Sequence, residues 1–148
     1  MYKKILVAVD GSPVSEAALR AAFDLAKTMG ATLRIAHAVD EATLNWDAEY
    51  VDPAEIWNAM AQSGRSILEK AAAAAAAAGI PADTKLIEIA TVGKRIPEAI
   101  ADEATAWSAD IVVVGTHGRR GFSHMFLGSV AEGIVRVSTK PVLLIRGT

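Results

Sequence analysis

Apolar positions along the chain follow two alternating patterns. Ile5-Leu6-Val7-Ala8-Val9, Ile111-Val112-Val113-Val114 and Val142-Leu143-Leu144-Ile145 are uninterrupted runs, rich in β-branched residues and bounded by Asp, Gly or Pro. Runs this short and this apolar predict buried strands. Thr32 to Ala38 and Thr84 to Ile89 mix polar with apolar residues and are read as strands that are half exposed.

Between the strands lie segments of helical spacing. Ser12-Pro13 has the form of an N-cap followed by the first helical residue. Leu19, Ala22, Phe23, Ala26 and Met29 then recur every three or four positions, and Gly30 closes the helix. Asp52-Pro53-Ala54-Glu55 has capping-box spacing and predicts a second helix, through Ile56, Met60, Ser63 and Ile67 towards Gly79. Ile96, Ala99, Ile100, Glu103 and Trp107 outline a third. Val130, Ile134 and Val137 outline a fourth, beginning near Gly128-Ser129. Strand and helix alternate throughout. That order predicts an α/β fold: a single doubly wound domain over residues 1–148, with a parallel sheet, helices on both faces and right-handed crossovers. Residues 39–52 are the one long irregular loop expected.

Composition narrows the chemistry. A chain of 148 residues suits one domain. The absence of cysteine excludes disulfides, cysteine nucleophiles, thiolate zinc sites and iron–sulfur clusters. Fifteen Lys and Arg against seventeen Asp and Glu give a net charge of -2 and no general field for polyanions, so nucleic acid is not an expected partner. Ala71 to Ala78 is a strong helix former and far short of the ~20 apolar residues that span a bilayer. Met1-Tyr2-Lys3-Lys4-Ile5 has no signal-peptide pattern, and the chain is read as a soluble cytoplasmic domain with no membrane partner. His37 is read as a satisfied or partly exposed strand side chain, and His117 and His124 lack a third ligand at metal spacing. Trp46, Trp57 and Trp107 are read as packing anchors.

The informative stretch runs from Gly115 to Val130, out of a buried strand and into a helix. In a parallel α/β sheet ligands sit at that end of the strands. Gly115, Gly118 and Gly121 are expected to turn the backbone through positive φ and bring N–H groups close to a ligand. Gly128-Ser129 opens a helix whose unpaired N–H groups and dipole favour an anion. Arg119 and Arg120 add positive charge, and no acid interrupts the loop. The pattern is neither a Walker A loop nor G-x-G-x-x-G, so phosphates would rest on backbone and hydroxyl without a P-loop lysine.

With these residues in view, the sequence resembles the universal stress proteins. ATP-binding members of that family carry glycine, two residues, glycine, nine residues, glycine, then Ser or Thr. Gly115, Gly118, Gly128 and Ser129 reproduce that spacing, and the stretches from Ile5 to Gly11, Asp110 to Gly118, Gly128 to Val130 and Lys140 to Val142 match as well. The resemblance implies a five-stranded sheet ordered 3-2-1-4-5, similar to half of a Rossmann fold, with the loops after strands 1 and 4 facing one crevice. It implies Asp10 at ribose hydroxyls or near a metal, and the Val39 backbone at the adenine edge. Gly115 and Gly118 would lie close to ribose and phosphates, with Arg119, Arg120, Gly128, Ser129 and Val130 at the phosphates. The implied cofactor is ATP, or AMP or ADP, with Mg or Mn on the phosphates. It also implies homodimers joined through Val142–Ile145, as the unprotected apolar character of that run suggests by itself.

Three functions follow: a nucleotide-dependent stress-response or regulatory module, a slow ATPase, and a nucleotide-free partner-binding domain of the same fold. The intact glycine spacing disfavours the last. Asp10 is the one acid that the sequence places in the crevice, so no catalytic residue is assigned and at most weak hydrolysis is expected. A two-component receiver domain lacks its acidic cluster here, since Asp10-Gly11-Ser12 follows the first strand.

Overall fold

The computed structural model describes residues 2–40, 52–89, 93–117 and 127–147. Strands and helices alternate as β1 (Lys4–Ala8), α1 (Pro13–Met29), β2 (Thr32–Asp40), α2 (Pro53–Ala77), β3 (Ala82–Ile89), α3 (Ile96–Ala106), β4 (Ile111–Gly115), α4 (Ser129–Val137) and β5 (Val142–Ile145). All strand pairs are parallel, in the order β3-β2-β1-β4-β5 that the family resemblance implies.

The helix boundaries have local causes. The Ser12 side chain accepts the Ser15 N–H at 3.2 Å, Pro13 follows as the first helical residue, and Gly30 ends α1 at φ 62°. Asp52 caps α2 by accepting the Ala54 N–H at 3.0 Å.

Side-chain alternation along the strands builds two cores. On one face Ile5, Val7, Leu33, Ile35 and Val113 meet Ala18, Leu19, Ala22 and Ala26 of α1 and Leu68, Ala71 and Ala75 of α2. On the other, Leu6, Ala8, Ala36, Val112 and Val114 meet Ile100 and Ala104 of α3 and Ala131 and Ile134 of α4. Ile5, Leu6 and Val7 are fully buried, and each such side chain contributes about 1.5–3 kcal/mol relative to exposure. Alanines recurring every four residues let α1 and α2 lie close to the sheet. These alanines therefore have a packing role on the sheet-facing side of each of the two helices.

Two expectations are corrected. Val142–Ile145, read as a buried strand, is the edge strand β5, with Leu143 exposed and its other residues half-buried. β2 is an inner strand with Leu33, Ile35, Ala36 and Val39 buried, where half exposure was predicted from its polar residues. Those residues are satisfied in place. Arg34 pairs with Asp83 and Glu103, each at 2.8 Å, and its guanidinium stacks 4.7 Å from the Trp107 ring, which also faces the Lys4 ammonium at 5.1 Å. The Asp83 hydrogen bond, opposed by partial burial and supported by Glu103, raises the Arg34 pKa. Nearby, Asp110 accepts the Lys4 and Lys3 N–H groups, at 2.9 and 2.8 Å, which lowers its pKa and ties the start of β1 to that of β4.

The two sheet edges differ. β3 presents exposed Asp83, Lys85 and Glu88, whereas Leu143 of β5 and Val135 and Val137 of α4 are exposed apolar residues. Among the described residues no helix is long and apolar enough to cross a membrane.

Candidate functional site

β1 and β4 are neighbours, yet the helices that follow them pack on opposite faces of the sheet: α1 on one, α4 on the other. That divergence opens a crevice at their C-terminal ends, the topological switch point where ligands bind in such sheets. Asp10 and Gly115 both stand there.

Asp10 lies just past β1, and Gly11 turns the chain at φ 83°. The Asp10 Oδ1 accepts the Ser12 N–H at 2.9 Å, and the Asp10 N–H donates to Ser15 Oγ at 3.3 Å. The carboxylate thus shapes the turn into α1 and is fixed at the crevice by it.

Gly115 ends β4 without a positive φ, contrary to the turn role expected for it. The reason is close approach. A Cβ there would fall 2.5 Å from Val14 Cγ1 and 3.3 Å from the Val14 backbone, so only glycine lets the first turn of α1 sit over the strand end. Gly147 makes room for the other Val14 methyl, at 2.8 Å.

Gly128 is built by the same logic. Its N–H donates to the Thr116 carbonyl at 2.6 Å, joining the two ends of the loop, while the Thr116 N–H donates to the Ile145 carbonyl at 2.9 Å. A Cβ on Gly128 would lie 3.0 Å from His117 Cα and 3.1 Å from the Thr116 oxygen, both backbone atoms. The N-terminus of α4 is thereby planted at the end of β4. Among the described residues no side chain caps it, and the first N–H claimed within the helix is that of Glu132, by the Gly128 carbonyl. The N–H groups of Ser129, Val130 and Ala131 have no acceptor among the described residues, and the exposed Ser129 hydroxyl lies beside them. Gly118, Arg119 and Arg120 lie outside the described residues.

Val39 lies within β2, buried, opposite Glu88 of β3. Thr32 and Ala36 bond to β1 through Lys3 and Val9, whereas Leu33 bonds to Pro81 before β3. Backbone groups alternate sides along a parallel strand. Those of Val39 therefore face β3, and those of Ala38 face the end of β1.

Among the described residues no cluster of three His, Asp or Glu is arranged to hold a metal ion. A groove of about 230 Å³ between β3 and α3, lined by Ile87, Lys94, Asp102 and Glu103, touches none of the predicted site residues. Two features escaped the sequence reading: the Val14 packing that demands Gly115, and the bond from His37 Nδ1 to the Val9 carbonyl at 2.7 Å. Neither leaves a periodic or spacing signal, since each joins residues on different elements.

Comparison with known proteins agrees with this architecture. Residues 1–146 match the universal stress protein family. Universal stress protein YxiE of Bacillus subtilis is 37% identical over 155 aligned positions, covering 99% of this chain and all of its own. A universal stress protein solved in complex with cAMP superposes with a TM-score of 0.69 at 27% identity, covering 98% of this chain and 97% of its own. One from Archaeoglobus fulgidus solved in complex with dAMP gives 0.67 at 26% identity, with 97% and 98% covered. The chain belongs to the universal stress protein family.

Proposed function

We propose that the crevice binds an adenine nucleotide, with ATP as the expected ligand, and that the protein is a nucleotide-dependent regulatory module of the stress response. The observation that carries this reading is the N-terminus of α4, uncapped among the described residues and held at the end of β4 by the Gly128 to Thr116 bond, with little space there for a side chain. Backbone N–H groups and a helix dipole aimed at one point form an anion site. The cAMP and dAMP complexes of family members support the choice of ligand.

In this reading Gly128, Ser129 and Val130 hold the phosphates, joined by Arg119 and Arg120, with Mg or Mn accompanying them. Gly115 and Gly118 let the backbone approach ribose and phosphate, Asp10 takes ribose hydroxyls, and the end of β2 at Ala38 and Val39 meets the base. Binding is favoured over turnover because Asp10, the acid of this crevice, already spends one oxygen on the Ser12 N–H. Mass spectrometry of ligand released from protein purified without added nucleotide, together with calorimetry, tests the assignment. Submillimolar ATP binding is expected. Absence of any released nucleotide, with no binding heat at millimolar ATP, would overturn it.

The same reading makes the protein a cytoplasmic homodimer joined through β5. An apolar edge strand beside exposed Val135 and Val137 is a surface that a second copy would cover. Sedimentation is expected to give a dimer mass, and Leu143→Lys a monomer with unchanged circular dichroism. Leu144 is unsuited to this test, because it packs on the core beneath α3 and α4. A monomeric wild type refutes the interface.

A further inference from the structure

We propose that His37 is a positioning residue of this site. Its imidazole takes the Val9 carbonyl, ends the β1–β2 ladder one rung early, and leaves the Ala38 backbone N–H facing the crevice as a donor to the acceptor edge of a planar heteroaromatic base. The proposal deepens the nucleotide reading above and rests on it for the identity of the ligand.

The ladder itself shows what has been interrupted. The Thr32 N–H donates to the Lys3 carbonyl at 3.0 Å and the Val9 N–H to the Ala36 carbonyl at 2.9 Å. Continued by one step, this parallel pattern places the Ala38 N–H on the Val9 carbonyl. Among the described residues that rung is absent, and the Val9 carbonyl accepts from His37 Nδ1 at 2.7 Å. A carbonyl cannot donate, so Nδ1 carries the proton. Ala38 is only half-buried, as a strand residue facing an open crevice should be.

The surroundings of the ring show that its place is built. His37 is 9% exposed and stands against α2 at Gly64. A Cβ at Gly64 would lie 2.8 Å from His37 Cδ2 and 2.9 Å from Leu86 Cδ1. Glycine is among the poorest residues for a helix interior, and α2 is otherwise rich in alanine. The helix thus carries its one glycine where the imidazole needs the room. An apolar residue would fill the same space but could not hold the carbonyl. Asp10 follows Val9 directly, so the bond also fixes the peptide that leads into the crevice.

The test compares wild type with His37→Leu, which removes the donor, and His37→Asn, which restores one near the Nδ1 position. In ligand-free protein, amide hydrogen exchange is read at Ala38. The proposal expects fast exchange in wild type and His37→Asn, and at least ~tenfold slower exchange in His37→Leu, where the ladder bond can close. Calorimetry then compares ATP with inorganic triphosphate, which occupies the phosphate end alone. His37→Leu should weaken ATP about tenfold, the scale of one hydrogen bond, without affecting triphosphate, and His37→Asn should recover the loss. An Ala38 amide already protected in wild type, or equal loss for both ligands, overturns the proposal. If wild type binds triphosphate but gains nothing from the base, the role of the freed N–H is refuted while the phosphate site stands. If it binds neither, the nucleotide reading fails and takes that role with it.

Discussion

Gly128→Glu is expected to abolish ATP binding while leaving the fold intact. In the proposed site, phosphate would meet the N-terminus of α4 and the Thr116 carbonyl at this position, so the substitution acts in two ways that can be separated. The Cβ alone would press on the His117 Cα and the Thr116 oxygen, at 3.0 and 3.1 Å, and these backbone atoms can yield only if the loop ends part. Gly128→Ala isolates that displacement and should weaken ATP about tenfold, as expected when one helix-terminal hydrogen bond is misaligned. The carboxylate of Glu adds like charge. At about 4 Å from a phosphate oxygen and an effective dielectric of ~20, the repulsion is about 4 kcal/mol, roughly a thousandfold. Salt screening reduces that figure, and a loss beyond a hundredfold remains the expectation. Calorimetry with ATP is the measurement, with circular dichroism as the control for folding. Equal affinity in wild type and Gly128→Glu would remove the phosphates from the α4 N-terminus and sink the site.

Parts of this arrangement were legible from residue order alone, for physical reasons that differ by element. β1 and β4 are short apolar runs because central parallel strands are buried on both faces, and the run itself reports that burial, whereas the equally apolar β5 is an edge strand that this chain alone leaves half-buried to exposed. The start of α1 was legible because the Ser12 cap and Pro13 are local chemistry, complete within a few residues. β2 was misjudged as half exposed. Its Arg34 and His37 look like surface residues until Asp83, Glu103 and Val9 are brought to them from other elements. Gly115 was read as a turn residue, whereas its freedom from a Cβ serves the approach of Val14. Sequence shows that a glycine is required and not which of its two properties is in use. For Val39 the position was placed beyond the strand. The structure puts it inside β2, with Ala38 holding the backbone groups on the β1 side. The spacing from Gly115 to Ser129 points to the proposed site because an anion cradle made of backbone needs little from side chains beyond their absence.

Gly133→Ala is expected to destabilise the protein, against the ordinary tendency of alanine to stabilise a helix. Gly133 lies in the second turn of α4, facing α3, and a Cβ there would stand 2.4 Å from Pro97 Cγ and 2.6 Å from Pro97 Cβ. The obstructing atoms belong to a pyrrolidine ring in the first turn of α3, which has no rotamer that clears the space. Relief requires α3 and α4 to move apart, opening the layer of Ile100, Ala104, Ala131 and Ile134 over the sheet. Overpacking of this kind costs about 1–3 kcal/mol, against a helix-propensity gain of up to ~1 kcal/mol. The net loss should be about 1–2 kcal/mol, and the melting temperature should fall by roughly 2–8 °C for a domain of this size. Pro97→Gly in the same chain removes both obstructing atoms, Cγ and Cβ, so the double variant should recover much of the loss, with a coupling energy of about 1 kcal/mol in a double-mutant cycle. Melting by circular dichroism measures all three variants. A Gly133→Ala protein that melts higher than wild type would show that the helices are not in this contact. The same displacement reaches the proposed phosphate site, because Gly128 is the N-cap of α4 and Ser129 lies in its first turn. Gly133→Ala should therefore weaken ATP as well, and Pro97→Gly should restore affinity together with stability, which a cradle independent of helix packing would not do.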